Sequence, residues 1–241
     1  MIKTNRLLCC ALLFIVTSGY LSAQPMCEFT KSKQRYVYDV SYKKIGIGRI
    51  IRELQCNGND ITANTTADLS FLFYHFGGNQ LSSIYWDELS QLFLSRQFVR
   101  KSVGFMQISM QADFLNAGHQ TRITRDGKTH EFVNEKEKII DFNAIGVQIS
   151  AGLKLGKTHF EFYMQTSDSV AHYFFDVTGK EVIQTKFGKL TAYRLEQTRK
   201  NDRKLIAWFA PDLNYQMVKF LYKRKLLDIR GVLNNYSISN L

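Results

Sequence analysis

The chain has 241 residues, 45% hydrophobic and 13% aromatic, with two prolines, four cysteines and a formal net charge of +11. This composition excludes a disordered chain and a disulfide-built scaffold, and beyond residue 23 no apolar run is long enough to cross a bilayer as a helix. No repeat and no Pro/Ser-rich linker divides the sequence, so a single domain is expected.

At the start, Lys3 and Arg6 precede the apolar run Leu7-Leu8-Cys9-Cys10-Ala11-Leu12-Leu13-Phe14-Ile15-Val16, and a small-residue region ends Leu21-Ser22-Ala23. This is the three-part plan of a cleaved secretory signal, and the run is too short for a spanning helix, which takes roughly 20 residues. Residues 1–23 are expected to be removed, leaving 24–241 as one periplasmic domain. Gln24 stands where a lipoprotein signal requires Cys, so a soluble, unlipidated protein is expected. Cleavage removes Lys3 and Arg6, leaving nine of the eleven excess positive charges. Export excludes nucleic acid as a partner. Outside the cytoplasm a basic surface meets an anionic envelope surface instead: lipid headgroups, lipopolysaccharide or acidic polysaccharide.

Cys27 and Cys56 survive cleavage. In an oxidising compartment they can pair, clipping the mature N-terminus to the end of the second strand; two unpaired buried thiols remain the alternative. Neither has the close Cys or His neighbour of a metal or redox motif, and no metal or cofactor is expected.

Tyr36, Tyr38, Val40 and Tyr42 alternate with Val37, Asp39 and Ser41, so one face of the first strand is aromatic. Ile45-Gly46-Ile47-Gly48 reads as the bend that follows. Residues 49–56 and 60–69 form a hairpin closed by Asn57-Gly58-Asn59. Alternation breaks at residues 70–78, which read as a short helical or irregular apolar plug, with His75 as a packed residue. Strands resume over 80–89, 92–103 and 105–115; in the last, Met106, Ile108, Met110, Ala112 and Phe114 share a face. Asp126-Gly127 marks a tight hairpin. One helix is expected over about 141–155: Asp141 suits its N-cap, Phe142, Ile145, Ile149 and Leu153 recur at helical spacing, and Gly146 and Gly152 weaken it. Further strands follow, with a turn at Thr178-Gly179-Lys180. The basic clusters at 199–204 and 223–225 fall at hairpin turns. Pro211, with Asp212 and Asn214, turns the chain between a strand ending in Trp208 and one starting at Tyr215. A dozen or more short, regularly spaced strands and one helix predict a mainly β fold, an antiparallel barrel-like or strongly curved sheet with the helix on its concave side.

Tyr38-Asp39-Val40-Ser41-Tyr42 with Gly46-Ile47-Gly48, the Asp141-led helix, the segment 187–196, and above all Trp208-Phe209-Ala210-Pro211-Asp212-Leu213-Asn214-Tyr215 with Val218 resemble the bacterial exported family catalogued as domain of unknown function 3108. The resemblance runs from about residue 36 to 236. Met217 stands where Pro is expected before Val218. The resemblance implies a periplasmic, mostly antiparallel β domain and no assigned reaction or catalytic residues.

No Gly-x-Ser-x-Gly elbow, phosphate loop or His-Glu-x-x-His motif is present, and the five histidines are scattered, so catalysis is not expected. His130 and Glu131 are adjacent on a strand and point to opposite faces. Three classes of function follow. The first is a carrier-like binding protein holding a lipid or lipoprotein acyl chain in an apolar cavity lined by Met106, Ile108, Met110, Phe160, Phe162, Met164, Tyr173 and Phe175. The second is an envelope-assembly or scaffold protein, with an envelope protein as partner, in which these side chains simply fill the core. The third, a lipid-facing barrel, is disfavoured because Arg96, Arg100, Lys101, Arg194 and Arg230 interrupt its strands. Trp208, Pro211, Asp212 and Tyr215 are read as a structural motif, with Trp208 a buried anchor.

Overall fold

The computed structural model describes residues 31–104 and 107–241; residues 1–23, expected to be an export signal, Cys27 and Met106 lie outside the described residues. The strands are β1 (Ser32–Tyr42), β2 (Ile45–Asn57), β3 (Asp60–Phe71), β4 (Tyr74–Asp87), β5 (Leu92–Val103), β6 (Ile108–Leu115), β7 (Gln120–Arg125), β8 (Lys128–Val133) and β9 (Ile139–Ile140). After helix α1 (Phe142–Lys154) come β10 (His159–Gln165), β11 (Val170–Thr185), β12 (Gly188–Thr198), β13 (Lys204–Ala210), β14 (Gln216–Arg224) and β15 (Leu227–Asn240). All belong to one large curved, unclosed sheet, ordered β8-β7-β6-β5-β4-β3-β2-β1-β15-β14-β13-β12-β11-β10-β9. Every pairing is antiparallel except β9 with β10.

Curvature follows from what the helix touches. Helix α1 packs against β3, β4 and β5 on one side and β10 on the other, strands far apart in the sheet order. Strands can meet around one helix in this way only if the sheet wraps round it. The two arms are joined by side chains: Ile139 of β9 packs with Phe98, Met110 and Phe114, and Thr121 Oγ1 of β7 donates to Gln165 Oε1 of β10. The larger core lies between the helix residues Ala144, Ile145, Val147, Ile149 and Leu153 and the inward side chains of the sheet.

Turn chemistry explains where the sequence signals hold. Gly58, at φ 61, closes the β2/β3 hairpin, and Asp126 and Gly127, at φ 49 and 79, close β7/β8 with the left-handed pair that a two-residue hairpin requires. Three expectations are corrected. Residues 45–48 are strand, not bend: the chain reverses at Lys43 and Lys44, and Gly48, at φ 139 beside a register shift in the β1/β2 ladder, lies so close to β3 that a Cβ would stand 2.1 Å from the Asp68 carbonyl oxygen. Residues 70–78 form no plug; they are the β3/β4 hairpin, turning at Leu72 and Phe73, because ladder hydrogen bonds satisfy this backbone better than a short helix would. Thr178-Gly179-Lys180 does not reverse the chain either: β11 runs through it, and the register shift between Val177 and Gly179 bends the strand without ending it.

In the Trp208 motif, Pro211–Leu213 form a 3-10 turn, Asn214 and Tyr215 take left-handed φ of 51 and 56, and Tyr215 N–H donates to the Ala210 carbonyl at 2.9 Å. Tyr215 therefore belongs to the turn rather than to the strand, and its ring stacks on Tyr193. Asp212 is exposed at the turn. Trp208 is buried, as expected of an anchor.

Candidate functional site on the concave face

The inward side chains of β2 to β7 form rows, because directly paired residues of neighbouring strands project to the same face. One row, Leu54, Ala63, Ser82, Phe98, Ala112 and Ile123, is buried throughout and marks the core side of the sheet. The row one pleat nearer the Leu72 turn shares that face and differs in kind: Tyr36, Arg52, Thr65, Gln80, Arg100, Met110, Arg125 and Lys128, each paired directly with the next. It carries four cations and no carboxylate.

Arg52, next to the buried Tyr36, is the most buried cation of this row, 8% exposed. Its guanidinium lies against Gly146 of the helix, where a Cβ would stand 3.0 Å from Nη2, so the glycine that weakens the helix is what admits the cation. Nη2 donates to the Asn143 carbonyl at 3.5 Å, Nε is buried without a partner, and among the described residues no carboxylate ion-pairs with Arg52 or Arg100. Burial pulls the Arg52 pKa down, with Tyr38, Tyr36 and Asp141 opposing it. Burial likewise lowers the Arg100 pKa, and the Arg125 charge adds to the effect. Two places along the row, Gln80 Oε1 is also buried and unpartnered. Tyr36 and Tyr38, both buried, have phenol pKa values raised by burial, Tyr38 to about 12. A buried cation and a buried acceptor left unsatisfied on one row are costly to maintain and suit a ligand that brings both an anion and a hydroxyl.

Beneath the row a polar network fixes the helix. Asp141, fully buried, caps α1 by accepting from the Asn143 and Ala144 N–H groups at 2.7 and 3.1 Å, and also accepts from Ser82 and Ser95 Oγ at 2.8 and 2.7 Å. Asn143 donates to Ser82 Oγ and accepts from Thr65 Oγ1, and Gln148 Oε1 accepts from the Phe93 N–H. Burial raises the Asp141 pKa against the pull of these donors. A carboxyl with a higher pKa folded than unfolded contributes stability that is complete below the unfolded value, about 3.9, and is lost as pH rises through the folded value. The unfolding free energy of wild type minus that of Asp141→Asn is therefore expected to increase as pH falls from neutral toward about 4. Urea melts at a series of pH values measure this; a difference that is flat or runs the other way refutes the raised pKa.

The side chains expected to line one cavity are divided. Phe160, Phe162 and Phe175 are buried in the larger core with Met164 and Tyr173 packed on it, whereas Met110, with Ile108, belongs to the smaller core between β5, β6, β7 and β9. Two clefts open beside the helix, of about 120 and 240 Å³. Gln148, Leu92, Glu161 and Phe162 line both, and neither is bordered by Met110, Met164, Tyr173 or Phe175. Both are smaller than the roughly 300 Å³ at which small-molecule pockets usually begin. Cys56 is fully buried near the end of β2 and is disulfide-bonded. His159 and His172 pair at 2.7 Å with Asp176 and Glu161 in exposed positions, remote from the basic row in the ladder. Among the described residues no group of three or more His, Cys, Asp or Glu side chains is placed to hold a metal ion.

The family model described as "Protein of unknown function (DUF3108)" matches residues 37–227. The chain belongs to the DUF3108 family. The DUF3108 match takes in Arg52, Arg100, Arg125, the Asp141-capped helix and the Trp208 turn. Among solved structures, the crystal structure of a beta-barrel-like protein of domain of unknown function DUF1849 from Brucella abortus aligns with a TM-score of 0.57 at 13% identity, covering 87% of this chain and 99% of that one. At this identity the likeness speaks to the fold alone. No curated protein matches the chain.

Proposed function

We propose that this DUF3108 protein is an exported, non-enzymatic, carrier-like binding protein of the periplasm. Its ligand is an amphipathic anion, a lipid or the acylated end of a lipoprotein, held on the concave face with its anionic head against Arg52 and Arg100. The observation that carries this reading is the row of cations without a carboxylate, in which Arg52 Nε and Gln80 Oε1 are buried and unpartnered. A phosphate or carboxylate answers the first and a ligand hydroxyl the second. The secretory start at residues 1–23 supports the compartment. The aromatic residues of β10 and β11 are core filling in this reading, and the acyl chain enters beside the helix by displacing it.

The packed state of Phe160, Phe162 and Phe175 favours a second reading, a scaffold or envelope-assembly protein with a filled core and no small-molecule ligand. Native mass spectrometry of protein released gently from the periplasm separates the two. The expected result is a chain cleaved near Ala23 that carries lipid or takes up added lysophosphatidylglycerol in preference to lysophosphatidylcholine. A ligand-free mass with no uptake of either probe leaves the scaffold reading standing.

A further inference from the structure

Of three hairpin turns that follow one another along one rim of the sheet, two carry apolar tips and the one between them carries lysines. The strand order β4-β3-β2-β1-β15-β14 places the β3/β4, β1/β2 and β14/β15 turns side by side. Tyr42 ties them together: its ring centroid is 4.8 Å from that of Phe71, and its hydroxyl donates to the Leu226 carbonyl at 3.0 Å. The tips carry Leu72, 77% exposed, Phe73, 100% exposed, and Leu226, 87% exposed, interleaved with the exposed Lys43, Lys44 and Lys225. Leu72 also holds φ at 53, a left-handed conformation that Asn or Gly adopts with less strain. The β2/β3 and β7/β8 turns of the same chain do use Gly58 and Asp126-Gly127. Strained leucine and fully solvated phenylalanine therefore stand where the fold needs neither. Of the carboxylates near these tips, Asp228 is held by Lys223 and Arg230, Asp202 by Arg203 and Arg224, and Asp68 faces His75.

We propose that this rim docks on an anionic phospholipid bilayer, with Leu72, Phe73 and Leu226 entering the headgroup layer and Lys43, Lys44 and Lys225 resting on its negative charge. Apolar tips amid lysines match such a surface in both chemistry and sign. The opposite rim supplies a contrast within the molecule: Leu89 is 97% exposed, yet its neighbours are Asp87 and Glu88, the wrong charge for the same surface. The basic row lies between this rim and the core, so a docked protein would present its concave face to the lipid, but the docking stands without that ligand.

Flotation of the purified protein with vesicles of equal parts phosphatidylglycerol and phosphatidylcholine, and with phosphatidylcholine alone, tests it. The expected result is binding to the anionic vesicles only, weakened by salt. Binding should fall about tenfold or more in the double variant Leu72→Asp/Phe73→Asp, and the preference for phosphatidylglycerol should be lost in Lys43→Glu/Lys44→Glu. Leu89→Asp should bind as wild type does, and all variants should keep the wild-type Tm. Phe73→Trp should shift its emission to shorter wavelength on adding anionic vesicles, whereas Leu89→Trp should not. Equal flotation with both vesicle types, unimpaired flotation of Leu72→Asp/Phe73→Asp, or an equal loss in Leu89→Asp overturns the proposal.

Discussion

Trp208→Ala is expected to destabilise the protein by about 3 to 5 kcal/mol, the range for removing a large buried aromatic. For a chain of this size that corresponds to a fall in Tm on the order of 10 °C. The size of the effect comes from what surrounds the indole. Trp208 is 4% exposed, its Nε1 donates to Glu181 Oε2 at 2.8 Å, and Lys219 Nζ stands 4.4 Å over the ring. Arg194, its cross-strand neighbour on β12, ion-pairs with Glu181 at 3.1 Å, so the ring is roofed by a polar cluster that it also anchors. Alanine would open a cavity under that roof and remove the donor to Glu181. Trp208→Phe keeps most of the apolar area and loses only the hydrogen bond, so it should cost about 1 kcal/mol or slightly more. Thermal melts of the two variants provide the check: a Trp208→Ala protein that melts with wild type means that the ring does not anchor β12, β13 and β14.

Much of this architecture is written in local patterns. Alternation located nearly every strand because one face of the sheet is buried, and Asp141 marked the helix start because an N-cap is a local requirement. Hairpins were legible where Gly, Asn or Asp supplied the turn. They were misread where the turn used Lys43-Lys44 or Leu72-Phe73, residue types that carry no turn signal even though Lys43 and Leu72 take a left-handed φ. The basic row was out of reach for a different reason. Arg52, Arg100 and Arg125 are 25 to 73 residues apart in the sequence, and each alone looks like a charge interrupting a strand. Only the registers of β2 to β7 bring them into line. One available clue was parity: Arg52 shares its face with Leu54, Arg100 with Phe98, and Arg125 with Ile123, all apolar, which marks these arginines as inward.

Arg52→Met is expected to make the protein more stable and less able to bind. A buried cation that no carboxylate pairs with is a net cost, and exchanging buried ionic groups for apolar side chains of similar size is neutral or stabilising by about 1 to 4 kcal/mol. Methionine matches the length of the arginine stem, adapts to irregular space and makes no demand for the partner that Nε lacks. Gly146, where an added Cβ would stand 3.0 Å from the guanidinium, leaves room for a thioether in its place. Asp141 would lose a favourable charge, but it would keep both serine hydroxyls and both helix N–H donors. The same substitution removes the most buried cation of the row, and on the proposed function uptake of lysophosphatidylglycerol should drop by about tenfold or more. Gain of stability with loss of binding is the signature of a residue kept for function rather than for folding. Urea melts and native mass spectrometry on one preparation read both halves. If Arg52→Met unfolds at lower urea than wild type, the cation is structural and the ligand site must be sought elsewhere; if it is more stable but binds the lipid as before, Arg52 is merely an unpaired charge that the fold tolerates.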